Sequence, residues 1–175
     1  MIGPKRLSTA LLVVAGLASH APAAAKTTAE RSLAFRHLHT AETLDIVYWR
    51  DDDYVPEALA AINAFLRDWR TDDATVIDPE LLDLLHQVYE ESGSRGRFEV
   101  ISAYRSPRTN EMLRSSTSGV AKRSQHLLGK AIDVRLTDVP ISRLRKIAYG
   151  LARGGVGFYE RSNFVHLDTG RFRTW

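Results

Sequence analysis

The sequence predicts an α+β domain in which helices come before a mainly antiparallel sheet. Two segments in the first half carry apolar residues at helical spacing. In the second half, apolar residues alternate over 97–104 and 130–136, which is typical of strands. Two further strand-like runs, 155–159 and 164–170, are separated by the turn-forming letters "ERSN" and predict a hairpin. Helices followed by neighbouring strands predict one α+β domain.

The first half of the domain holds one predicted strand and two predicted helices. "TLDIVYW" (43–49) alternates like a strand, and "RDDDY" (50–54) follows it as a turn. Pro56 begins a helix, because proline is favoured in a first turn. A second helix runs from Asp78-Pro79 to about Ser92, with Asp78 as N-cap and Gly93 as the stop. The apolar stripe of the first helix consists of Leu59, Ile62, Phe65, Leu66 and Trp69.

The second half has shorter elements. A brief helix begins at Ser106-Pro107, and Pro140 opens a longer one that ends before Gly154. The strand at 130–136 places Asp133 on the face opposite its apolar residues. The last five residues, "RFRTW", are compatible with a final strand.

Composition excludes some functions. The formal net charge is +3, and two of the positive charges, Lys5 and Arg6, lie at the very start of the chain. Such a balanced chain, without aromatics interleaved among lysines and arginines, predicts no nucleic-acid partner. The chain has no cysteine, so disulfides and thiolate ligands are excluded and any metal must be held by histidine and carboxylate.

The N-terminus predicts an export signal over residues 1–25. Basic residues precede the short apolar run "ALLVVAGLA", and small residues follow at cleavage spacing, which predicts cleavage after Ala23 or Ala25. The apolar run is too short for a permanent span, so no stable membrane insertion is expected after removal of the signal. We assign residues 26–42 to a leader segment and 43–175 to the functional domain.

Two histidines stand apart from the rest. His37, His39 and His86 are read as packing or surface residues, because nothing near them in the sequence completes a site. His126 precedes the strand that carries Asp133, and His166 lies in a later strand, "FVHLDTG". His126, Asp133 and His166 make a two-histidine, one-carboxylate set, which is a known arrangement for one Zn²⁺ ion with a fourth position left for water.

A structural alternative stays open at this point. A buried carboxylate needs a partner. Asp133 would have one if it formed an ion pair with Arg135 or Arg105, and the two histidines would then be ordinary sheet residues. Residue types and spacing alone do not decide between these two interpretations.

The stretch "SQHLLGKAID" (124–133) fits the pattern Ser-x-His-x-x-Gly-x-Ala-x-Asp. This pattern resembles the signature of the zinc D-Ala-D-Ala carboxypeptidase and murein endopeptidase family, peptidase family M15. "ISAYRSPRTN" (101–110) and "GGVGFYERSNFVHLDTGRFRTW" (154–175) support the resemblance. With "YWRDDDYVPEALAAINAFLRDWR" and "IDPELLDLL", it extends over nearly the whole chain after the signal and is similar to the murein endopeptidase K branch.

The resemblance implies a hedgehog/D-Ala-D-Ala-peptidase-like fold. It also implies that His126, Asp133 and His166 hold Zn²⁺ and that the substrate is the stem peptide of peptidoglycan. The expected location is the periplasm, since the family resemblance indicates a bacterium with two membranes.

The sequence departs from the family pattern at the general base. Better-known carboxypeptidases of the family have glutamate three residues before the last histidine, where this chain has Asn163. Asp168 shares a strand face with His166 and is the first candidate for a replacement base. Alternatively, Asp168 accepts a hydrogen bond that orients His166. Glu160 is a weaker candidate for the base.

Two further residues are expected to contact substrate. Arg105 follows a strand end where the family places an arginine, and it would clamp a peptide carboxylate or stabilise an oxyanion. Its structural alternative is the ion pair with Asp133. Ser124 is expected to bind substrate or to cap a turn. Tyr104, Gly129 and Gly155 are read as structural residues.

The sequence therefore predicts an exported zinc metallopeptidase that hydrolyses peptide cross-links of peptidoglycan. A D,D-carboxypeptidase that trims terminal D-Ala is an alternative within the same chemistry. A non-catalytic zinc-containing module that binds murein is the alternative from another class. Whether the enzyme would open D,D (4-3) or L,D (3-3) cross-links is left open by the sequence.

Overall fold

A computed structural model describes residues 29–117 and 120–175. The predicted signal segment, 1–25, lies outside these residues. Eight strands form one sheet. The strands are β1 (Arg31–His37), β2 (Thr43–Arg50), β3 (Asp53–Tyr54), β4 (Phe98–Ser102), β5 (Ala131–Leu136), β6 (Gly155–Tyr159), β7 (Phe164–Asp168) and β8 (Arg173–Thr174). The helices are α1 (Pro56–Phe65), α2 (Pro79–Ser92), α3 (Pro107–Ser116) and α4 (Ile141–Leu151), with a short 3₁₀ helix at Gln125–Leu128.

The strand order is β3-β2-β1-β4-β5-β7-β6-β8. Neighbouring strands are antiparallel except for β1 with β4 and β6 with β8. Helices α1, α2 and α4 pack against the sheet, and α2 also contacts α4. The predicted α+β class with a mainly antiparallel sheet is confirmed.

The helix ends follow from local chemistry. Each of α1, α2 and α3 begins at a proline, whose fixed φ angle suits the first turn. The Asp78 side chain accepts a hydrogen bond from the Glu80 amide and so caps α2, as predicted. Gly93 ends α2 with a φ angle of 63°, a left-handed conformation that glycine adopts without strain.

The predicted leader segment needs a correction. The sequence analysis placed the start of the domain at residue 43, but Arg31–His37 forms strand β1 between β2 and β4. Leu33 and Phe35 alternate with less buried neighbours, and both belong to the hydrophobic core. The folded domain therefore begins no later than residue 31.

The two faces of the sheet have different roles. Ile132, Leu167 and Val156 are cross-strand partners on β5, β7 and β6, and all three lie in the hydrophobic core. The next position along each strand points to the opposite face. That face carries another row of cross-strand partners, Asp133, His166 and Gly157. The sheet thus presents polar side chains at its centre on the face away from the core.

Candidate active site

His126, Asp133 and His166 meet on the polar face of the sheet. One potential ligand atom from each residue lies within 4.8 Å of the others, and all three residues are buried. The Nε2 atom of His126 is 3.1 Å from Nδ1 of His166, and that Nδ1 is 2.9 Å from Oδ1 of Asp133. Residues separated by 40 positions in the sequence therefore share one small polar cluster.

The local fold places each of these side chains. Asp133 and His166 are directly opposite each other on the antiparallel strands β5 and β7, so their side chains project from the same face. His126 lies in the 3₁₀ helix, which the Ser124 side chain caps by accepting a hydrogen bond from the His126 amide. Gly129 ends this helix with a φ angle of 66°. A turn of only four residues thus brings His126 over the strands.

Hydrogen bonds fix which ring nitrogen of each histidine faces the cluster. Nδ1 of His126 donates to the carbonyl oxygen of Ala103 at 2.6 Å, so Nε2 is left as an acceptor facing Asp133 and His166. Nε2 of His166 lies 2.9 Å from Oδ2 of Asp168, which leaves Nδ1 on the cluster side. Such backing acceptors are typical of histidines that bind metals.

The electrostatics of the cluster favour a positive charge at its centre. Burial alone would lower the pKa of His166, but hydrogen bonds to Asp133 and Asp168 outweigh it and raise that pKa. Burial lowers the pKa of His126. Burial opposes ionisation of Asp133, yet the two neighbouring histidines hold the pKa of its carboxyl below the usual range. An ionised carboxylate and two imidazoles within ligand distance suit a divalent cation.

Asp168 is fully buried behind His166. Its two oxygens accept hydrogen bonds from His166, from the Gly155 and Gly170 amides, and from two nitrogens of Arg173. These bonds hold the pKa of Asp168 below the usual carboxyl range, although burial acts to raise it. Asp168 contacts the ring nitrogen that points away from Asp133. The geometry therefore favours the orienting role over the role of general base.

A pocket of about 560 Å³ opens over the cluster. His126, Asp133 and His166 lie in its lining, as do the predicted substrate residues Arg105 and Ser124. The remaining lining residues are Val120, Ala121, Arg123, Gln125, Tyr159, Phe164, Arg173 and Trp175. Among the described residues that line the pocket, Asp133 is the only carboxylate. The pocket has the position and size expected of a substrate site.

Three consecutive backbone amides hold the loop that carries Arg105. The Tyr104 amide donates to the Leu66 carbonyl, the Arg105 amide to the His126 carbonyl at 3.2 Å, and the Ser106 amide to Oδ2 of Asp68 at 2.9 Å. The guanidinium itself is only loosely engaged. Its closest carboxylate contact is 3.7 Å, to Oδ2 of Asp133, and its Nε has no hydrogen-bond partner among the described residues.

The structure answers the question of how Asp133 is paired. Arg135 bonds to Glu99 at 2.6 Å and is not a partner of Asp133. Arg105 is a weak partner at 3.7 Å, whereas His166 is a close one at 2.9 Å. The carboxylate therefore belongs to the histidine cluster rather than to a simple ion pair.

The other sequence candidates lie outside the pocket. Asn163 adopts a positive φ angle of 54° in the turn between β6 and β7 and lines a separate depression next to Arg135. Glu160 is exposed in the same turn and does not line the pocket. His37, His39 and His86 are not part of the cluster.

One side of the pocket was not predicted from the sequence. Tyr159, Phe164 and Trp175 line it, although none was named as a site residue. The alternation over 155–159 does place Gly157 and Tyr159 on the face of His166, which is a signal that points to this side. The position of Trp175 depends on parallel pairing of β8 with β6, which no local pattern indicates.

Within the described residues, none of the helices combines the length and apolar character required for crossing a bilayer.

Comparisons with known proteins identify the family of the chain. The family model described as peptidoglycan L,D-endopeptidase MepK matches residues 25–175. The chain is 42% identical over 145 residues to the peptidoglycan L,D-endopeptidase MepK of Escherichia coli (strain K12), covering 83% of this chain and 80% of that protein. It is 40% identical over 146 residues to the probable peptidoglycan L,D-endopeptidase MepK of Haemophilus influenzae, covering 83% and 78%.

A solved structure is also similar. The L-Ala D-Glu endopeptidase ChiX of Serratia marcescens matches with a TM-score of 0.42 and 17% identity, over 64% of this chain and 86% of that one. The family model covers the folded domain and every residue of the cluster. The chain belongs to the peptidoglycan L,D-endopeptidase MepK family.

Proposed function

We propose that the protein is a zinc-dependent peptidoglycan endopeptidase that hydrolyses the L,D peptide bonds of 3-3 cross-links. The observation that carries the proposal is the buried cluster of His126, Asp133 and His166 at the base of a pocket, with the loosely engaged guanidinium of Arg105 beside it. The L,D assignment follows the names of the relatives, which share at least 40% of their residues with the aligned chain.

The residues of the cluster fit Zn²⁺. His126 would bind through Nε2, His166 through Nδ1 and Asp133 through its carboxylate, because the remaining ring nitrogens already have acceptors. Three protein ligands with an open fourth position are typical of catalytic zinc. An ion held by these three residues would supply a bound water of lowered pKa and polarisation of the scissile carbonyl.

Asp168 acts as a positioning residue in this proposal. It keeps the proton of His166 on Nε2, so that Nδ1 is free to bind metal, and Arg173 with two backbone amides holds the carboxylate in place. Carboxylate–histidine pairs of this kind orient the ring and raise the basicity of the ligand. We assign no separate carboxylate base, because Asp133 is the only residue with a carboxylate side chain in the described lining of the pocket.

Arg105 is proposed to meet the developing negative charge of the substrate. Its loop is fixed by three consecutive amides, its Nε is buried without a hydrogen-bond partner among the described residues, and the side chain lines the pocket. A planar guanidinium stabilises an oxyanion or a peptide carboxylate through paired N–H donors. Ser124 caps the 3₁₀ helix and lines the pocket, so we propose that it also contacts substrate.

We further propose that residues 1–25 direct export and that the mature protein works in the periplasm. The support is the sequence pattern of basic start, apolar run and small residues. Peptidoglycan stem peptides are then the partner, and no nucleic acid is involved.

The test is digestion of purified cross-linked murein, with zinc and with chelator, followed by mass analysis of the products. We expect chelator-sensitive conversion of 3-3 cross-linked dimers into monomers. Release of terminal D-Ala alone would instead identify a D,D-carboxypeptidase, and conversion of 4-3 dimers would identify a D,D-endopeptidase. Murein binding without any product, in a zinc-loaded folded sample, would identify a binding module.

A matched pair of variants makes this test specific to the cluster. His126→Ala removes a proposed ligand, and we expect loss of both zinc and cleavage. His39→Ala changes an exposed histidine outside the cluster and should retain both. Equal activity of the two variants would overturn the assignment of the cluster.

A further inference from the structure

One side of the pocket is built from aromatic rings. Tyr159 and Phe164 stack with ring centroids 4.5 Å apart, and the Trp175 ring lies 5.1 Å from the ring of His166. All three line the pocket. We call these three residues the aromatic wall. Its position beside a proposed metal ligand places it next to any bond that the site cleaves.

The absence of a side chain at residue 157 makes room for Trp175. Gly157 is the cross-strand partner of His166, so a side chain there would stand directly beside the histidine. A Cβ atom at this position would come within 2.7 Å of Cε2 of Trp175. The indole therefore occupies the space that a side chain at position 157 of β6 would otherwise fill.

The indole is hydrogen-bonded through its nitrogen, yet the residue is partly exposed. Nε1 of Trp175 donates to the hydroxyl of Tyr159 at 2.8 Å, and the guanidinium of Arg173 lies 4.9 Å from the ring centre. The backbone of Trp175 is bonded to Val156 and Phe158 on β6. Even so, 48% of the residue is exposed. A large ring that is fixed yet exposed inside a pocket is typical of a ligand-binding surface.

The opposite side of the pocket is cationic. Arg105 follows β4 and Arg123 precedes the 3₁₀ helix, whereas Trp175 follows β8. The strand order β4-β5-β7-β6-β8 places β4 and β8 on opposite sides of the strands that carry Asp133 and His166. A substrate over the cluster would therefore have Arg105 on one side and the aromatic wall on the other, where the lining residue Arg173 is already paired with Asp168.

We propose that Trp175 is a specificity-determining residue that packs against the apolar part of one of the two residues joined by the scissile amide. The carboxylates of the stem peptide then lie on the side of Arg105, because Arg173, beside the wall, is already paired with Asp168. This division orients a cross-linked peptide in one direction across the cluster. The inference rests on the proposed function, and it adds the residue that selects and orients the substrate.

Binding to metal-free protein tests the wall without requiring turnover. Purified protein in chelator is titrated with 3-3 cross-linked peptide dimer while tryptophan fluorescence is recorded. Trp175 is one of three tryptophans, so the difference between the natural protein and Trp175→Phe isolates its signal. We expect a saturable change in the natural protein that is absent from Trp175→Phe. No difference between the two proteins would overturn the proposal.

Kinetics of the zinc-loaded protein separate substrate contact from support of His166. For Trp175→Ala we expect KM for the dimer to rise by about tenfold, as for loss of a central aromatic contact, with kcat changed less than about threefold. Zinc affinity should be unchanged. A fall in zinc affinity with unchanged KM would mean that Trp175 only supports His166, and would overturn the proposal.

Two glycine variants provide a matched control. Gly157→Ala forces the indole out of its place, so KM should rise as in Trp175→Ala. Gly150 lies in α4, and no atom is within 4 Å of a Cβ added there. The KM of Gly150→Ala should therefore stay unchanged. If the natural protein cleaves no dimer, the proposed endopeptidase function fails, and the fluorescence titration alone still decides whether Trp175 contacts the peptide.

Discussion

At the residue scale, the chemistry of the site depends on which ring nitrogen each histidine presents. The Ala103 carbonyl contacts Nδ1 of His126, and the Asp168 carboxylate contacts Nε2 of His166. Nε2 of His126 and Nδ1 of His166 therefore face Asp133. The acceptors behind the rings are therefore as important to the site as the three cluster residues themselves.

Asp168→Asn tests the positioning role. The variant loses a charge that accepts bonds from His166 and Arg173, so we expect zinc affinity to fall by about 10- to 100-fold, together with activity. A general base would behave differently, since its loss would lower kcat and leave zinc affinity intact. Zinc competition titration and steady-state kinetics on the same samples distinguish the two roles.

Asp138→Asn is the control for this variant. Asp138 also accepts several hydrogen bonds, from Ser94, Arg95 and Gly96, but it lies outside the pocket. Its replacement should lower stability slightly and leave zinc affinity unchanged. Unchanged zinc affinity in Asp168→Asn as well would contradict the positioning role.

At the element scale, the 3₁₀ helix places His126 through a turn of only four residues. Four residues carry His126, and Gly129 ends the turn where a Cβ would come within 2.3 Å of the Val76 carbonyl oxygen. The backbone of Asp78 bonds to the Gly129 carbonyl at 3.0 Å. The position of His126 therefore depends on close packing of this turn against the segment before α2.

Gly129→Ala and Gly93→Ala form a matched pair that measures this dependence. Both glycines have φ angles near 65°, so each alanine costs about 1–2 kcal/mol of backbone strain. Gly93 has no atom near the added Cβ, whereas Gly129 meets backbone. We expect Gly129→Ala to lose roughly 3 kcal/mol or more of unfolding free energy and to weaken zinc binding.

Urea unfolding and zinc titration check this prediction. Gly93→Ala should keep the zinc affinity of the natural protein. Equal losses of stability in the two variants, with equal zinc affinity, would show that the turn tolerates a side chain at residue 129.

Strand β1 contains a buried histidine, His37, whose pKa is strongly lowered. Burial, with a smaller contribution from His39, lowers the pKa of His37 to about 4, although Glu42 opposes the shift. In the unfolded chain the value is about 6.5. His37 is therefore neutral in the folded protein while the unfolded chain binds a proton between these pH values. Its contribution to stability is complete above pH 6.5 and decreases as the pH falls towards 4.

His37→Asn removes this part of the pH dependence while keeping an acceptor for the amides of His39 and Thr40. As the pH falls from 6.5 to 4, the free energy of unfolding of the natural protein should decrease by up to about 3 kcal/mol more than that of the variant. Urea unfolding in chelator, at several pH values, measures the difference without any contribution from metal release. Parallel pH profiles would show that His37 does not titrate on unfolding.

Elements with a local sequence pattern were predicted correctly. Elements that depend on pairing with distant strands were not. Helix α2 was predicted from its cap, its apolar stripe and Gly93, and it has those limits. The residues of strand β1 were assigned to a leader because "KTTAERS" (26–32) is polar, and only pairing with β2 and β4 makes this segment a strand. The 3₁₀ helix is too short for any periodicity to reveal.

The same distinction applies to the site. His126, Asp133 and His166 could be named from residue types and a motif, and the structure brings all three together. The relation of Asp168 to His166 followed from the two-residue period of a strand. Trp175 could not be predicted, because its place depends on parallel pairing between strands that the sequence does not join directly.

At the scale of the whole molecule, the cluster joins parts of the fold that are distant in the sequence. His126 comes from the 3₁₀ helix, Asp133 from β5 and His166 from β7, so a bound ion would fasten these elements to one another. A ligand that binds only the folded state stabilises it by an amount that grows with the ratio of free ligand concentration to Kd.

Removal of metal should therefore lower the thermal stability of the protein. With free zinc at about 100 times Kd, the added stability is about 2.7 kcal/mol, and we expect chelator to lower Tm by roughly 5–10 °C. Calorimetry with zinc and with chelator gives the shift. The His126→Ala variant is the control and should show little response to either; a natural protein equally unresponsive would contradict metal binding at the cluster.

The outermost strands of the sheet, β3 and β8, are each only two residues long. Asp53 lies on one and Arg173 on the other. Short, charged outer strands offer few free amide and carbonyl groups to a strand from another copy of the chain. Where β3 and β8 cover it, the sheet is therefore a poor template for edge-to-edge aggregation, an advantage for any protein that folds among many copies of itself.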